Sequence, residues 1–206
     1  MPKITDIKKT PLLTLIDDWK DCTRCPLHAV RKSVVMVRGQ VPATVCFVGE
    51  APGDYENIYG VPFYGPAGDL LNSMIRQAMP RGQSLRMAFM NLVGCIPKDE
   101  NPKRKGRTPL PDEIKACAPR IDKLLSICKP KLIVTLGKIS EKQSTVKKWD
   151  MVKECKVIHF YHPSWLLNLD DVHKPLEIQR TILRLEEEFI ELLGTLLINK
   201  GKGSNA

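Results

Sequence analysis

The sequence predicts an α/β protein with a mostly parallel four-stranded sheet and helices on both faces. Four short apolar runs bounded by turn residues are typical of buried strands, and segments with helical periodicity separate them. This alternation is the pattern of a parallel sheet with crossover helices. The chain has 206 residues, of which 43% are hydrophobic, which is enough for one domain with a sizeable core.

The predicted elements follow one another along the chain. A first helix is expected at 11–21, because Thr10 can cap it and Pro11 suits the first helical position. The predicted strands are 44–49, 87–93, 132–137 and 156–160. The other predicted helices are 68–79, 111–128, 138–146 and 176–199. We therefore expect one domain over residues 1–200, a disordered tail at 201–206 and a mobile basic loop at 99–111.

The chain is basic, with 32 Lys and Arg against 23 Asp and Glu and a formal net charge of +9 at pH 7. Nucleic acid is the first partner to consider, because cationic side chains release counterions from phosphates, although charge alone is compatible with a basic protein that binds none. The apolar runs are too short to span a membrane, and the N-terminus lacks a secretory apolar core. We expect a cytoplasmic protein with no membrane partner.

Seven cysteines occur in the chain. Because the number is odd and the cytoplasm is reducing, a disulfide framework is not expected. Cys46 lies inside a predicted strand and is expected to be a small core residue. Cys128 and Cys155 are also expected to be structural.

The remaining four cysteines are candidates for a metal site. Cys22 and Cys25 form a C-x-x-C pair, which can chelate a metal or act as a redox dithiol. Cys95 and Cys117 each lie beside the end of a predicted element. Four thiolates would complete a zinc site or a [4Fe–4S] cluster, and spacing alone leaves such a site and unrelated thiols both open.

The stretch VGEAPGDYENIYGVPFYGPAG, residues 48–68, follows the first predicted strand and is unusually rich in glycine, proline, acids and aromatics. It lacks the Gly-Lys-Ser/Thr ending of a phosphate loop and is not a dinucleotide fingerprint. Its carboxylates, Glu50, Asp54 and Glu56, could position a water or stabilise positive charge. Phe63 could plug the core or stack on a base.

Two further polar residues are predicted to meet this stretch. Asn91 lies at the end of the second strand and His162 follows the fourth, and carboxyl ends of parallel strands share one edge of a sheet. A lone histidine after a strand can equally be a satisfied structural group. Residues 165–167, Trp-Leu-Leu, could be core or a wedge that enters DNA.

Together these residues resemble the uracil-DNA glycosylase superfamily, and most closely its family 4, the iron–sulfur enzymes. The matching motifs run in the family's order over about residues 20 to 170. They are Cys22-x-x-Cys25-Pro26-Leu27, Val48-Gly49-Glu50-Ala51-Pro52-Gly53, Gly60-x-Pro62-Phe63-x-Gly65-x-Ala67-Gly68-x-Leu70-Leu71, Asn91-x-x-x-Cys95, Glu113-Ile114-x-x-Cys117, Pro130-Lys131-x-Ile133-Val134-x-Leu136-Gly137 and Tyr161-His162-Pro163-Ser164.

The resemblance implies a fold and a cofactor. The fold is a three-layer α/β/α sandwich. The cofactor is a structural [4Fe–4S] cluster on Cys22, Cys25, Cys95 and Cys117. The partner is uracil-containing DNA, and the protein is expected to act as a monomer.

The resemblance also assigns roles at the site. By resemblance the catalytic residues are Glu50, Glu56 and His162, and the residues that contact uracil are Ala51, Phe63 and Asn91. Phe63 would stack on the flipped base, Asn91 would read its Watson–Crick edge and His162 would face uracil O2. Glu50 and Glu56 would orient the water or stabilise the sugar cation.

The implied function is monofunctional uracil-DNA glycosylase activity, which releases free uracil, leaves an abasic site and begins base excision repair. The family usually carries Glu-Asp where this chain has Glu56-Asn57, so we expect one carboxylate fewer there. Together with the altered basic loop, this motivates the alternative of a catalytically weak homologue that binds DNA or a replication partner. A related branch traps uracil-DNA through a loop histidine, but residues 98–111 contain none, so covalent trapping is not expected.

Overall fold

The computed structural model describes residues 10–98, 106–147 and 155–202, and a five-stranded sheet lies at the centre of these residues. The strands are β1 (Arg38–Gly39), β2 (Val45–Gly49), β3 (Met87–Asn91), β4 (Leu132–Leu136) and β5 (Lys156–Phe160). Their order in the sheet is β1-β3-β2-β4-β5. β2 to β5 pair in parallel, and β1 pairs antiparallel with β3.

Seven α-helices connect or flank these strands in the described ranges. They are α1 (Pro11–Trp19), α2 (Asp54–Tyr59), α3 (Pro66–Ala78), α4 (Pro111–Cys128), α5 (Lys138–Lys147), α6 (Pro163–Leu167) and α7 (His173–Lys202). A 3₁₀ helix covers Pro26–Ala29. None of the helices in the described ranges is long and apolar enough to cross a membrane.

Alternate residues of the strands face two separate cores. Cys46 and Val48 of β2 belong to a core built with α1 and α4, whereas Val45 and Phe47 belong to a core built with α3 and α7. This alternation follows from the two-residue period of a strand, and burial on both faces explains why the strands are continuous apolar runs. The protein therefore has helical layers on both faces of the sheet.

The prediction of a mostly parallel sheet with helices on both faces is confirmed, and the prediction of four strands is wrong. The missed strand, β1, has only two residues and no apolar run, so it carries no periodic signal. Helix α2 was missed inside the stretch at 48–68, because its six residues are too few for a periodic pattern.

The chain ends differ from the expected boundaries. α7 begins three residues earlier than predicted and continues to Lys202, which is two residues into the expected tail. The rest of that tail, 203–206, lies outside the described residues. So does most of the expected basic loop, at 99–105.

Candidate active site and cysteine-lined site

A cavity of about 1000 Å³ opens at the carboxyl edge of the parallel strands. Segments that follow β2, β3, β4 and β5 contribute its walls, as expected for a ligand site in a sheet of this kind. All six predicted site residues line it: Glu50, Ala51, Glu56, Phe63, Asn91 and His162. Folding thus brings together side chains that lie up to 112 positions apart in the sequence.

Asn91 is held against the end of β2. It is the last residue of β3 and is only 3% exposed, and the sheet register pairs it with Gly49. A Cβ atom on Gly49 would lie 2.4 Å from Asn91 Oδ1 and 2.8 Å from the Phe63 ring. Only glycine allows this approach, so the residue at the end of β2 sets the position of the Asn91 amide.

Phe63 forms part of the cavity wall while packing on the core. Its side chain is 5% exposed and its φ is +53°, a left-handed conformation that a bulky residue rarely adopts. Arg38 on β1 donates from Nε to the carbonyl oxygen of Pro62, the residue before Phe63, at 2.7 Å. The Phe63 ring lies edge-on to Phe89 and nearly parallel to His162, with a centroid separation of 6.3 Å from the histidine. The two functions considered for Phe63, core plug and platform, are therefore compatible.

His162 has a defined donor and acceptor side. The backbone N–H of Ser164 donates to His162 Nδ1 at 3.2 Å, and the Ser164 hydroxyl is 2.7 Å from the same atom. Because an N–H can only donate, Nδ1 acts as an acceptor and the neutral ring carries its proton on Nε2. Burial lowers the pKa of His162 to about 4, so the ring is neutral at physiological pH.

Glu50 approaches His162 across a glycine. Its Oε1 accepts a hydrogen bond from the backbone N–H of Ile139 in the first turn of α5, at 3.2 Å. Burial raises the pKa of the Glu50 carboxyl, and the Ile139 N–H opposes this shift. A Cβ atom on Gly137 would lie 2.4 Å from Glu50 Oε1 and 3.3 Å from His162 Cβ. The φ of Gly137 is +96°, which also favours glycine. Glycine at this position lets the acid and the histidine share one wall.

The other two carboxylates of the stretch are occupied differently. Glu56 accepts from the backbone N–H of Gly53 at 3.0 Å and so caps α2, while its residue still lines the cavity. Burial raises the pKa of Glu56 as well, against the opposing N–H donors. Asp54 is exposed and forms an ion pair with Lys98.

Asn57 does not line the cavity in the described structure. Its side chain is 7% exposed, and its Oδ1 accepts from the backbone N–H of Lys32 at 2.8 Å. Its carbonyl oxygen accepts from the Ser33 hydroxyl, also at 2.8 Å. The carboxylate that the family carries at this position and this chain lacks therefore belongs to a residue outside the described cavity wall.

The mouth of the cavity carries aromatic residues to which the sequence analysis gave no firm role. Tyr161 and Trp165 are 51% and 43% exposed, and their ring centroids are 4.3 Å apart. The next residue, Leu166, is fully buried and belongs to the same core as the apolar residues of α7. The Trp-Leu-Leu segment is thus divided, with Leu166 in the core and Trp165 at the surface.

Arg107, from the described part of the basic loop, also lines the cavity. Its guanidinium makes two hydrogen bonds to the buried carboxylate of Glu113, at 2.7 and 2.9 Å. Glu113 in turn accepts from the backbone N–H of Leu110 and caps α4. This arginine therefore fixes the start of α4 at the cavity edge.

The four cysteines singled out from the sequence line a second cavity, beside the first. Trp19, Arg24, Arg31, Val34, Val93 and Ala116 complete its lining. Burial raises the pKa of Cys95 to about 11, against the opposing charge of Arg31, and burial also raises the pKa of Cys25. Buried thiols of this kind ionise when a metal centre binds them.

Hydrogen-bond donors surround the sulfur atoms of this second cavity. The Gly94 N–H and Arg120 Nε each donate to Cys117 Sγ at 3.3 Å, and Arg31 Nη1 lies 3.9 Å from Cys95 Sγ. Cationic and N–H donors aimed at sulfur fit an anionic thiolate-bound group. In the part of the chain that the structure describes, no three His, Cys, Asp or Glu side chains are placed to hold a single metal ion. In a cluster each thiolate binds its own iron, so close packing around one ion is not required.

Comparisons with known proteins agree with this geometry. The model of the uracil DNA glycosylase superfamily matches residues 36–186. A type-4 uracil-DNA glycosylase of Thermotoga maritima is 34% identical over 80% of this chain and 85% of its own length. Proteins of the same description from Sulfurisphaera tokodaii and Saccharolobus solfataricus are 37% and 34% identical, covering 76% and 79% of this chain and 76% and 80% of their own lengths.

Proposed function

Because the chain belongs to the uracil-DNA glycosylase superfamily, we propose that it is a monofunctional uracil-DNA glycosylase. It takes uracil flipped out of DNA, hydrolyses the N-glycosidic bond and leaves an abasic site for base excision repair. The observation that carries the proposal is one cavity whose lining includes a buried amide, a neutral histidine and three carboxylates, those of Glu50, Asp54 and Glu56. These groups match the needs of a reaction that separates a uracil anion from a sugar cation.

Recognition of the base is assigned to Asn91 and Phe63. A side-chain amide can accept from uracil N3–H and donate to O4, whereas cytosine presents the opposite pattern at those two positions. The Phe63 ring offers a flat apolar surface for stacking. Gly49 supports both roles, because it packs against the amide oxygen and the ring at once.

His162 is assigned to the leaving group. As the glycosidic bond breaks, negative charge grows on uracil O2, and a donor fixed in advance stabilises it. The Ser164 N–H occupies Nδ1, so the Nε2 proton is available for this contact. The ring is neutral at physiological pH, so it acts as a hydrogen-bond donor to the developing anion and not as a cation.

Glu50 is assigned to the water and the developing sugar cation. Its carboxylate is held by the first turn of α5, and its proximity to His162 through Gly137 supports the role. Glu56 shares the cavity wall, but its bond to Gly53 favours a role in shaping α2 and the loop. A raised pKa of Glu50 means that its ionised form is lost at a higher pH than for an exposed glutamate.

The cysteine-lined cavity is assigned to a structural [4Fe–4S] cluster on Cys22, Cys25, Cys95 and Cys117. The residues fit the group, because buried thiols and nearby cationic donors suit an anionic centre. A cluster held by these four cysteines would tie the 20–30 segment to the chain after β3 and to α4. Colour separates this from zinc, since loaded protein should be brown with broad absorption near ~400 nm, whereas a zinc protein is colourless.

Tyr161 and Trp165 are assigned to the DNA around the flipped nucleotide. Exposed aromatic rings beside the cavity can stack on neighbouring bases, at about 1–3 kcal/mol per base. Trp165→Ala should weaken binding to uracil-free single strands roughly tenfold, as measured by fluorescence anisotropy. Leu183→Ala, which changes an exposed residue of α7 instead, is the matched control.

The decisive experiment is uracil release from end-labelled DNA. Brown, loaded protein should convert a uracil-containing strand to an alkali-sensitive one in the presence of EDTA, because no divalent metal takes part. Asn91→Ala should lower kcat/KM at least ~100-fold. DNA that stays intact after alkali, with loaded wild-type protein, would refute the proposal and favour a DNA-binding role.

A further inference from the structure

Arg120 lies between the two sites and is fully buried in α4. Its Nε donates to Cys117 Sγ at 3.3 Å. Its Nη2 donates to the carbonyl oxygen of Asn91 and to that of Leu92, the latter at 3.1 Å. One guanidinium therefore contacts a cysteine of the second cavity and the backbone of the residue assigned to read the base.

The charge on Arg120 has an unusual environment. Among the described residues it forms no ion pair with a carboxylate, and its Nη1 is buried without a hydrogen-bond partner. A buried charge is costly unless an opposite charge compensates it. Among the described residues, the one sulfur that its guanidinium contacts is Cys117 Sγ, so an anionic group held by the cysteine-lined site would supply that compensation.

The geometry also fixes what Arg120 can control. Asn91 ends β3, and beyond it the chain turns through Leu92 to Gly94, whose N–H donates to the same Cys117 sulfur. The turn is held at both ends. Gly94 N–H and Arg120 Nε donate to the Cys117 sulfur, and Arg120 Nη2 donates to the carbonyl oxygens of Asn91 and Leu92. The angle at which the Asn91 side chain enters the cavity depends on that turn.

We propose that Arg120 is a positioning residue that links the cysteine-lined site to base recognition by fixing the backbone of Asn91. The inference rests on the proposed function, because it concerns how uracil is distinguished from cytosine. The cysteine site would then have a second role besides stability. An intact, anionic site would hold Arg120 in place, and Arg120 would hold the Asn91 amide in the position needed to contact uracil.

The test uses two substitutions. Arg120→Met keeps a long side chain but removes the charge and the hydrogen-bond donors, and Arg120→Lys keeps the charge but loses the planar guanidinium with its several N–H donors. Free uracil and free cytosine are titrated into each loaded protein by NMR, and binding of a uracil-free oligonucleotide is measured by anisotropy. We expect both variants to lose about tenfold or more of the preference for uracil over cytosine, with oligonucleotide binding unchanged. Absorption near ~400 nm establishes that the cysteine site is still loaded.

Two further variants keep the proposal falsifiable if the first two fold poorly. Gly94→Ala places a Cβ atom 3.0 Å from Arg120 Nε and should displace the guanidinium without removing it, with a smaller loss of preference. Arg31→Met is the matched control, because Arg31 contacts the Cys95 sulfur and the Cys22 carbonyl and makes no bond to Asn91. Arg31→Met should reduce the yield of loaded protein and keep the wild-type ratio of uracil affinity to cytosine affinity.

The outcomes separate the two proposals. An unchanged uracil-to-cytosine ratio in folded, loaded Arg120 variants would overturn the positioning role and leave the glycosylase intact. Equal losses of base and oligonucleotide binding, or the same change of ratio in Arg31→Met, would show a structural role only and would also overturn it. Wild-type protein that releases no uracil from DNA would instead refute the proposed function itself.

Discussion

The two cavities of this protein are built on different physical principles. The large cavity is shaped by backbone packing. Gly49 lets Asn91 and Phe63 approach the end of β2, and Gly137 lets Glu50 and His162 share one wall. Glu50 and His162 each accept a hydrogen bond from a backbone N–H. The cysteine-lined cavity instead gathers four cysteines, two of them buried, and N–H and guanidinium donors are directed at the sulfur atoms of Cys95 and Cys117. Protein contacts alone set the geometry of the first cavity, whereas the second is proposed to depend on a bound group, and each part of this contrast can be tested.

The largest effect is expected at the cysteine-lined cavity. Cys117→Ala removes the sulfur that accepts from Arg120 and Gly94, and it leaves a buried charge uncompensated. Breaking a buried charge pair in this way costs about 3–5 kcal/mol. Thermal unfolding should show the loss together with reduced absorption near ~400 nm.

Cys128→Ala is the control for that experiment. Cys128 is equally buried but belongs to the apolar core between α4 and the sheet. It should cost only about 1 kcal/mol and keep the absorption. Equal destabilisation by the two substitutions would contradict the contrast between the cavities.

A pH dependence is expected at the large cavity. The folded pKa of His162 is lowered from 6.5 to about 4, so the unfolded chain binds more protons between these values. The resulting stabilisation is present above pH 6.5 and is lost as the pH falls towards 4, by as much as about 3 kcal/mol. Urea unfolding across this range should show a steeper slope for the wild type than for His162→Asn, and equal slopes would argue against the buried, neutral ring.

Gly49→Ala tests whether backbone packing shapes the large cavity. The added methyl group would meet Asn91 Oδ1 and the Phe63 ring, and small displacements of such groups cost about 100-fold in rate. We expect that loss in kcat/KM for uracil release. Gly194→Ala on α7, where a Cβ atom meets nothing, should leave the rate unchanged. A Gly49→Ala protein with normal kcat/KM would show that the cavity tolerates this displacement.

The smallest effect is expected for Asn57→Asp, which restores the residue that the family usually carries. Asn57 binds the Lys32 N–H and lies outside the described cavity wall, and an aspartate oxygen can accept the same bond. We expect kcat/KM to change less than about threefold. A tenfold gain would show that this position acts on the reacting groups after all.

The sequence was most informative where periodicity or motif order was strong. The apolar runs predicted β2 to β5, and α4 was predicted from Pro111 to Cys128 with both ends correct. The six proposed site residues were identified because they follow strand ends in the order of a known family, and the structure places all of them in one cavity. Their chemical roles stay predictions.

Other features depend on contacts that no local pattern encodes. The Asn57 side chain is held by the backbone N–H of Lys32, which is distant in sequence, so motif comparison alone could not place it outside the cavity wall. Arg120 carries no motif signal within the predicted helix at 111–128, yet it is fully buried and contacts both Cys117 and the backbone of Asn91. α2 and β1 are too short for a periodic signal, although both support the cavity wall.

The two-residue strand β1 has a consequence for solubility. Without it, β3 would offer unpaired N–H and C=O groups at Ala88 and Phe89, in the mostly apolar strand MAFMN, and such an edge is a template for pairing with other chains. Arg38 reinforces this cover, because its guanidinium lies 3.8 Å from the Phe89 ring centroid and places a cation beside the edge. Arg38, which also holds the loop of Phe63, therefore places a charge at an edge of the sheet, and charges at sheet edges disfavour pairing with other chains.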